Sequence, residues 1–266
     1  MRTALTIAGS DSIAGAGIQA DLKTFAALGV YGVSAVTAIT AQNTEGIDDI
    51  VALSAQMVAA QIDQVAMDVE IAAIKTGMLA TADTILAVLE RVEGFPLPNL
   101  VVDPVMTASG AGLRTLLAPE AVSILKTRLL RVATLVTPNV AEAAVLSGIQ
   151  VDSMTSAREA AKRIAGLGAA AVVIKGGHLR GPESIDVLFH AGTFFELAAP
   201  RANFEALHGT GCTFASAIAA GLALGDDVPA AVHRAKRYIT GAIEHSFAIG
   251  HGARLLNHFW DSPSPR

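Results

Sequence analysis

The clearest indication of the architecture is the stretch Ala4-Leu5-Thr6-Ile7-Ala8-Gly9-Ser10-Asp11-Ser12-Ile13-Ala14-Gly15-Ala16-Gly17-Ile18-Gln19-Ala20-Asp21. The short apolar run Ala4–Ala8 predicts a buried strand, and the glycine-rich turn after it opens into a helix predicted over Gly17–Ala27. A strand joined to a helix by such a turn is the first half of a βαβ unit, in which the next strand lies parallel to the first.

The same alternation of strand and helix continues along the chain. Continuous apolar runs are typical of strands that are buried on both faces of a mainly parallel sheet. Strands are predicted over Ala4–Ala8, Val33–Ala41, Ala72–Lys75, Leu100–Val102, Leu135–Thr137, Ala171–Lys175 and Asp186–His190. Helices are predicted over Gly17–Ala27, Ala55–Val65, Thr81–Arg91, Pro119–Leu129, Ala141–Leu146, Ser156–Leu167, Thr213–Leu224, Pro229–Ser246 and near Leu255, before a frayed tail from Pro263 to Arg266. No linker or repeat interrupts the pattern, so residues 1–266 are predicted to form one α/β domain.

Composition limits the classes of function. Of the 266 residues, 52% are hydrophobic and 16% are charged, a balance that predicts a large buried core and not disorder. The net charge of -5 argues against a nucleic-acid or anionic-membrane partner. The single cysteine, Cys212, excludes an intrachain disulfide and indicates a reducing compartment.

Targeting signals are not predicted. The N-terminus lacks the apolar run and the cleavage site of a signal peptide. The uncharged stretch Thr24–Thr44 is long enough to reach across a bilayer, but Gly29 and Gly32 interrupt it, and it is better explained as a helix end, a turn and a buried strand. We therefore expect a cytoplasmic protein without a membrane span.

The glycine-rich loop near the N-terminus allows two functions. Gly15-x-Gly17-x-x-Ala20 matches a loose dinucleotide fingerprint, but such a site also needs an acidic residue at the end of the second strand. That strand ends in Thr40-Ala41-Gln42-Asn43, so a loop that brings backbone close to a small ligand is favoured. Asp21, in the first turns of the helix, either accepts a hydrogen bond from a substrate hydroxyl or complements the helix dipole.

Gln42 follows a buried strand and is a candidate for ligand recognition. Its amide offers one acceptor and two donors, enough for a bidentate contact with an amino-substituted heteroaromatic ring. The alternative is a loop glutamine with its hydrogen bonds already satisfied, which spacing alone favours.

A candidate anion site lies near the C-terminus, in the turn His208-Gly209-Thr210-Gly211-Cys212. Two glycines at the entrance to an apolar helix expose several backbone N–H groups, and these groups with the helix dipole bind phosphate. Such a site suits phosphoryl transfer, although the chain has no P-loop motif. Cys212 lies in the first helical turn, where a lowered thiol pKa is expected and where a weak base can serve; the alternative is a small packing residue.

Charged side chains are predicted at the ends of three further strands. Asp103 precedes Pro104, and Asn139-x-x-Glu142 opens a helix, so hard oxygen ligands for Mg²⁺ shared with nucleotide phosphates are predicted at Asp103 and Glu142. The Asn139 and Glu142 pair is also the pattern of a capping box, and both descriptions can hold together. Lys175 ends a buried strand and can reach a nucleotide phosphate, while Lys236 on a later helix is more ambiguous. The seven histidines lack the spacing of a zinc site.

With these residues in place, the chain resembles the hydroxymethylpyrimidine and phosphomethylpyrimidine kinases of thiamin biosynthesis, in the ribokinase-like superfamily. The resemblance covers about Leu5 to Phe259. The motifs that carry it are Thr6–Ser12, Gly15–Thr24, Thr40–Thr44, Lys75–Leu79, Asp103–Met106, Thr137–Asn139, Lys175–His178 and His208–Thr213.

The resemblance implies a three-layer α/β/α fold and a two-step kinase that uses ATP and Mg²⁺. The substrates would be 4-amino-5-hydroxymethyl-2-methylpyrimidine and its monophosphate, and the protein would be a homodimer. By this resemblance Gln42 reads the aminopyrimidine edge, Asp21 lines the substrate pocket, and Gly9 and Met78 contact the ring. Cys212 takes the place of a catalytic aspartate, next to Gly209, Thr210 and Gly211. The nucleotide and metal are served by Asp103, Asn139, Glu142, Lys175 and Lys236.

Three segments depart from the family pattern. Ile13 and Ala14 stand where the family often has Ser-Gly, and Ala206-Leu207 stand where it tends to have Asn-Thr. Thr107-Ala108-Ser109-Gly110 is one residue shorter than the usual Val-Ala-Lys-Ser-Gly and lacks its lysine. Two alternatives therefore remain beside the pyrimidine kinase: a pyridoxal or pyridoxine kinase, and a pyrimidine-binding homologue without turnover.

Overall fold

The centre of the protein is a twisted sheet, in a computed structural model that describes residues 1–95, 97–107, 116–178, 183–201 and 207–261. Its strands are β1 Thr3–Asp11, β2 Tyr31–Gln42, β3 Ile47–Ala52, β4 Ala73–Thr76, β5 Leu100–Val102, β6 Leu135–Val136, β7 Ala171–Ile174, β8 Glu183–His190 and β9 Thr193–Pro200. Within the described residues their order is β3-β2-β1-β4-β5-β6-β7-β8-β9. The strands from β2 to β7 pair in parallel, and β3, β8 and β9 pair antiparallel at the two edges.

Helices cover both faces of the sheet. They are α1 Gly17–Ala27, α2 Ala55–Asp68, α3 Ala82–Gly94, α4 Pro119–Thr127, α5 Val140–Ser147, α6 Met154–Ala165, α7 Thr210–Leu224 and α8 Val228–Glu244, with 3-10 turns at Leu129–Val132 and Gly176–His178. One apolar core joins the sheet to α2 through α6, and a second joins it to α1, α7 and α8. This is a three-layer α/β/α arrangement, so the predicted fold class is confirmed. No helix in the described ranges is long and apolar enough to cross a membrane.

Most predicted elements are present, with ends that differ by a few residues. The bounds of α1 and β5 are as predicted, whereas β1 continues to Asp11 because its pairing with β2 resumes beyond Ala8. The helix predicted near Leu255 is wrong. Arg254–Leu255 instead forms a short strand, β11, parallel to β10 at Leu207–His208. The predicted tail from Pro263 lies outside the described residues.

Two edge strands were not predicted. β3 is short, carries two aspartates and is largely exposed, as edge strands often are, so it lacks the apolar run of the inner strands. β9 had a recognisable signal, because Ala191 and Gly192 separate two runs rich in Phe and β-branched residues. Both turn residues have positive φ, 47° and 78°, the conformation of a tight two-residue hairpin turn.

The parallel strands end together at one edge of the sheet. Gly9 to Asp11 end β1, Asp103 follows β5, Asn139 follows β6, and Lys175 follows β7. The chain passes from β1 to β2 on one side and to β4 on the other, which leaves a crevice where ligands bind in open α/β sheets.

A buried ion pair joins β4 to α1. Lys75 on β4 donates from Nζ to both carboxylate oxygens of Asp21 on α1, at 2.9 and 2.8 Å, and both side chains are fully buried. Asp21 also accepts hydrogen bonds of 2.6 Å from the hydroxyls of Thr6 on β1 and Ser216 on α7. The pair therefore connects four elements at once.

Removal of the cation alone should destabilise the fold strongly, because a buried carboxylate would lose its counter-charge. For Lys75→Met we expect the free energy of unfolding to fall by about 3–5 kcal/mol in urea denaturation. Adding Asp21→Leu should recover part of this loss, since paired replacement by apolar groups removes the uncompensated charge. Lys162→Met, at an exposed lysine, should cost less than about 1 kcal/mol. A loss under about 1 kcal/mol for Lys75→Met would contradict the role given to the pair.

Candidate active site

A cavity of about 1420 Å³ lies along the carboxyl edge of the sheet. All but one of the residues predicted for the site line it: Gly9, Gln42, Met78, Asp103, Asn139, Glu142, Lys175, Gly209, Thr210, Gly211, Cys212 and Lys236. Asp21 is the exception. It is fully buried against Lys75 beneath the cavity, and the prediction that it lines the substrate pocket is corrected.

The N-terminus of α7 opens into this cavity. Gly209 is its N-cap, has φ 85° and offers no side-chain cap to the first turn. A Cβ at Gly209 would lie 1.8 Å from the carbonyl oxygen of Gly15, so only glycine permits this close approach of the two loops. Since α7 is almost entirely buried, its dipole is weakly screened, and its first turn has the features that favour anion binding at a helix start.

Cys212 lies in the first turn of α7 and is half-buried. Burial raises the pKa of its thiol to about 11, and Asp21 and Asp103 raise it further, while Lys75 and the N–H of Gly17 act in the opposite direction. The sequence-based expectation of a lowered pKa is therefore wrong. Loss of hydration outweighs the helix dipole here, and the thiol is protonated at neutral pH.

Asp103 and Lys175 form an ion pair on the cavity wall. Lys175 Nζ donates to Asp103 Oδ1 at 2.8 Å, and the hydroxyl of Thr137 donates to the same oxygen at 3.0 Å. Burial would lower the pKa of Lys175, but Asp103 and Glu142 outweigh it and raise the pKa. The ammonium group therefore stays charged at the cavity surface, where an anionic ligand can compete for it.

Asn139 and Glu142 form the capping box that the sequence pattern allowed. Asn139 Oδ1 accepts from the N–H of Glu142 at 2.9 Å, and Glu142 Oε2 accepts from the N–H of Asn139 at 2.8 Å. Burial raises the pKa of Glu142 to about 7, with Asp103 adding to the rise and Lys175 opposing it. A cation bound here would favour the ionised form.

The donor chemistry at this point of the wall fits Mg²⁺. Asp103 and Glu142 supply hard oxygens, and the described residues contain no cluster of three or more metal-ligating side chains. Mg²⁺ in nucleotide sites commonly takes one or two carboxylates and completes its shell with water and phosphate oxygens.

A second ion pair lies at the α8 side of the cavity. Lys236 Nζ donates to Asp186 Oδ2 at 2.8 Å and to the carbonyl oxygen of Ser184 at 3.0 Å. Asp186 also accepts from the N–H of Gly176 at 2.8 Å. This carboxylate was not predicted as a site residue, because it lies inside an antiparallel strand and not at a strand end.

Asp11 was also missed by sequence reasoning. Its carboxylate accepts hydrogen bonds from the backbone N–H groups of Ile13, Gly15 and Ala16, at 3.1, 2.9 and 2.8 Å, and so holds the glycine-rich loop closed. Its Oδ2 also lies 2.9 Å from Nε2 of His208. A carboxylate at the end of the first parallel strand was the available signal.

Gln42 lies beside this cluster on the cavity wall. Its Oε1 lies 3.2 Å from the hydroxyl of Thr40, and its Nε2 lies 3.0 Å from Nε2 of His208. Gly9 and Met78 line the same cavity, and a Cβ at Gly9 would lie 2.5 Å from Cε of Met78. The wall therefore combines one amide with an apolar contact surface.

The segments that depart from the family pattern are described only in part. Ala108, Ser109, Gly110 and Ala206 lie outside the described residues, whereas Thr107 and Leu207 line the cavity.

Comparison with known proteins gives consistent matches. A family model for phosphomethylpyrimidine kinase matches residues 11–257. The chain is 46% identical over 256 residues to the hydroxymethylpyrimidine/phosphomethylpyrimidine kinase of Streptomyces coelicolor, a match that covers 96% of this chain and 94% of that protein. It is 49% identical over 254 residues to the thiamine biosynthesis bifunctional protein ThiED of Geobacter sulfurreducens, of which it spans 51%.

Solved structures agree with the ribokinase-like fold expected from the sequence. The pyridoxal kinase from Staphylococcus aureus in complex with AMP-PCP and pyridoxal superposes with a TM-score of 0.90 at 36% identity. That match covers 99% of this chain and 96% of the other.

The protonated state of Cys212 predicts slow alkylation. As the only cysteine, Cys212 alone reports on the reaction with iodoacetamide. Below a pKa of about 11 the thiolate fraction is small, so the rate should rise about tenfold per pH unit between pH 7 and pH 9, without a plateau. Mass spectrometry would follow the modification, and the urea-unfolded chain is the control with an ordinary thiol. A plateau below pH 8 in the folded protein would contradict the assignment.

Proposed function

The chain belongs to the phosphomethylpyrimidine kinase family, and we propose that it transfers the terminal phosphoryl group of ATP to 4-amino-5-hydroxymethyl-2-methylpyrimidine in thiamin biosynthesis. The resulting monophosphate is the substrate of a second transfer, which gives the diphosphate. One observation carries this proposal: Gln42, which can pair with an aminopyrimidine, and the anion-binding start of α7 line one cavity.

The substrate ring lies against Gln42, Gly9 and Met78 in this proposal. The amide pairs with the amino group and a ring nitrogen, both of which are polar and in the ring plane. Glycine at position 9 leaves room for Met78, whose soft side chain packs on an aromatic face. This combination fits a small, flat, amino-substituted ring better than a sugar.

The hydroxymethyl group then points at the first turn of α7. The N–H groups of Thr210, Gly211 and Cys212 stabilise the charge on the equatorial oxygens of the transferred phosphoryl group. The small fraction of Cys212 that has lost its thiol proton to water accepts the hydroxyl proton as the thiolate. A high pKa makes this thiolate scarce but strongly basic, and Lys75 and the N–H of Gly17 are the groups that stabilise it.

Asp103 and Glu142 would hold Mg²⁺, with Lys175 and Lys236 near the nucleotide phosphates. When bound, the metal neutralises charge on the phosphate oxygens during transfer. The capping-box contact of Glu142 with Asn139 fixes the carboxylate toward the cavity. Displacement of Asp103 by a phosphate would free the Lys175 ammonium for the nucleotide.

Pyridoxal phosphorylation is the second candidate. It is favoured by the close superposition with the Staphylococcus aureus pyridoxal kinase. Pyridoxal carries the same hydroxymethyl group on a flat ring but lacks the amino group that Gln42 would recognise.

A side-by-side kinase assay tests the substrate. ADP release should show a kcat/KM for the aminopyrimidine alcohol at least about tenfold above that for pyridoxal, since one paired polar group distinguishes the rings. A preference for pyridoxal would replace the first proposal by the second. Saturable binding of the pyrimidine without ADP release would indicate a homologue without turnover.

Cys212→Ala tests the base. Removal of the sulfur should lower kcat by about 10²- to 10⁴-fold, the range for general-base catalysis, while calorimetry gives a pyrimidine Kd within a few fold of the wild type. An unchanged melting temperature would show that packing of α7 is intact. Undiminished turnover would reduce Cys212 to a packing residue.

A further inference from the structure

The ring of His208 faces two groups with opposite requirements. Its Nε2 lies 2.9 Å from the carboxylate oxygen Oδ2 of Asp11 and 3.0 Å from the amide nitrogen of Gln42. A carboxylate needs a proton on that ring nitrogen, whereas an amide N–H needs a lone pair there. One nitrogen cannot meet both requirements at once.

The charge on Asp11 decides between them. Burial would raise the pKa of Asp11, but the hydrogen bonds from His208 and from the backbone N–H groups of Ala16 and Ile13 outweigh it and hold the pKa below its usual value. Asp11 is therefore a carboxylate at neutral pH. Its partner on His208 must carry the proton, so Nε2 of His208 is a hydrogen-bond donor.

The amide of Gln42 must then turn its oxygen toward His208. A rotation of 180° about the last bond of the side chain exchanges the oxygen and the nitrogen with little change of position. The nitrogen then donates to the hydroxyl of Thr40 across the 3.2 Å contact, and that hydroxyl donates to the carbonyl oxygen of Ser10 at 3.1 Å. In this arrangement the Nε2–H of His208, the hydroxyl of Thr40 and one N–H of Gln42 each have an acceptor.

Packing keeps the ring of His208 in place. A Cβ at Gly15 would lie 2.3 Å from Cδ2 of the ring, so the loop held by Asp11 presses directly on the imidazole. The side chain is only about a tenth exposed. The ring therefore has little freedom to turn away from Asp11 and Gln42.

We propose that His208, held by Asp11 in the tautomer with a proton on Nε2, is a positioning residue that fixes the orientation of the Gln42 amide and so determines substrate specificity. The fixed amide offers one free acceptor site beside His208 and one free N–H beside Thr40. A ligand must present a donor and an acceptor in the matching order. This inference rests on the proposed function in so far as the ligand is an aminopyrimidine.

An oxo analogue of the substrate makes the order testable. In the 4-amino ring the exocyclic group donates and the adjacent ring nitrogen accepts. In the 4-oxo ring with its proton on that nitrogen, the exocyclic group accepts and the nitrogen donates, so the order is reversed in a ring of the same shape. A locked amide distinguishes the two rings, whereas a freely rotating amide pairs with either.

The experiment compares kcat/KM for the 4-amino and 4-oxo pyrimidine alcohols in the wild type, His208→Phe, Gln42→Leu and the double variant. We expect the wild type to prefer the amino ring by on the order of 10²-fold or more, because a mismatched ligand leaves buried polar groups unpaired. His208→Phe should reduce this preference at least about tenfold, with the KM for ATP unchanged. In the Gln42→Leu background the same substitution should have no further effect on the preference, as a double-mutant cycle requires when one residue acts through the other.

Two further variants serve as controls for this experiment. His208→Gln retains an N–H donor of similar reach and should keep most of the preference, which also answers the question if His208→Phe fails to fold. His233→Phe, at an exposed histidine, is the matched control and should behave as the wild type.

The inference would be overturned if His208→Phe lowered kcat/KM equally for both alcohols. It would also be overturned if His208→Phe changed the preference as much in the Gln42→Leu background as in the wild type. If the wild type phosphorylates neither alcohol, the proposed function fails by itself. The ratio of calorimetric affinities for the same two rings then decides the role of His208, with the same expected and contradicting outcomes.

Discussion

The ion pair of Lys75 and Asp21 is the contact on which the site depends. It has no access to water, and it lies where the first strand, the first helix, the fourth strand and the long buried helix α7 meet. Breaking such a pair by removal of one partner costs far more than the pair contributes over an apolar replacement. The main role of the pair is therefore to fix the relative positions of these elements. The hydroxyl of Ser216 on Asp21 fixes α7 one turn after Cys212 and so fixes the N–H groups that face the cavity.

The pair also sets the electrostatics of the cavity floor. Burial would lower the pKa of Lys75, but Asp21 outweighs it, and Cys212 and Asp103 add to the effect, so the ammonium stays charged. This buried positive charge favours the thiolate of Cys212 that burial disfavours. Lys175 with Asp103, and Lys236 with Asp186, repeat the same pattern around the wall. Unlike the buried pair, these two lysines line the cavity beside their carboxylates.

The sequence predicted what is local and missed what is distant. Neighbouring residues determine the capping box of Asn139 and Glu142, the glycine turn before α7 and the buried inner strands. The pair of Asp21 and Lys75 joins positions 54 apart, and the contact of Asp11 with His208 joins positions 197 apart, so no spacing rule reveals them. The prediction of a lowered pKa for the Cys212 thiol was wrong for a related reason. The helix dipole can be inferred from sequence, but the loss of hydration depends on the packing of the whole crevice.

The burial of Cys212 has a consequence for the chemical lifetime of the protein. Thiolates attack peroxides and disulfides, whereas a neutral thiol reacts with them slowly. A site that kept its sulfur ionised would be oxidised at a rate proportional to its thiolate fraction. A sulfinic or sulfonic acid formed there would not be reduced by ordinary thiols. By keeping the sulfur protonated in nearly all molecules at neutral pH, the crevice gives up standing basicity and gains resistance to oxidation at its one cysteine.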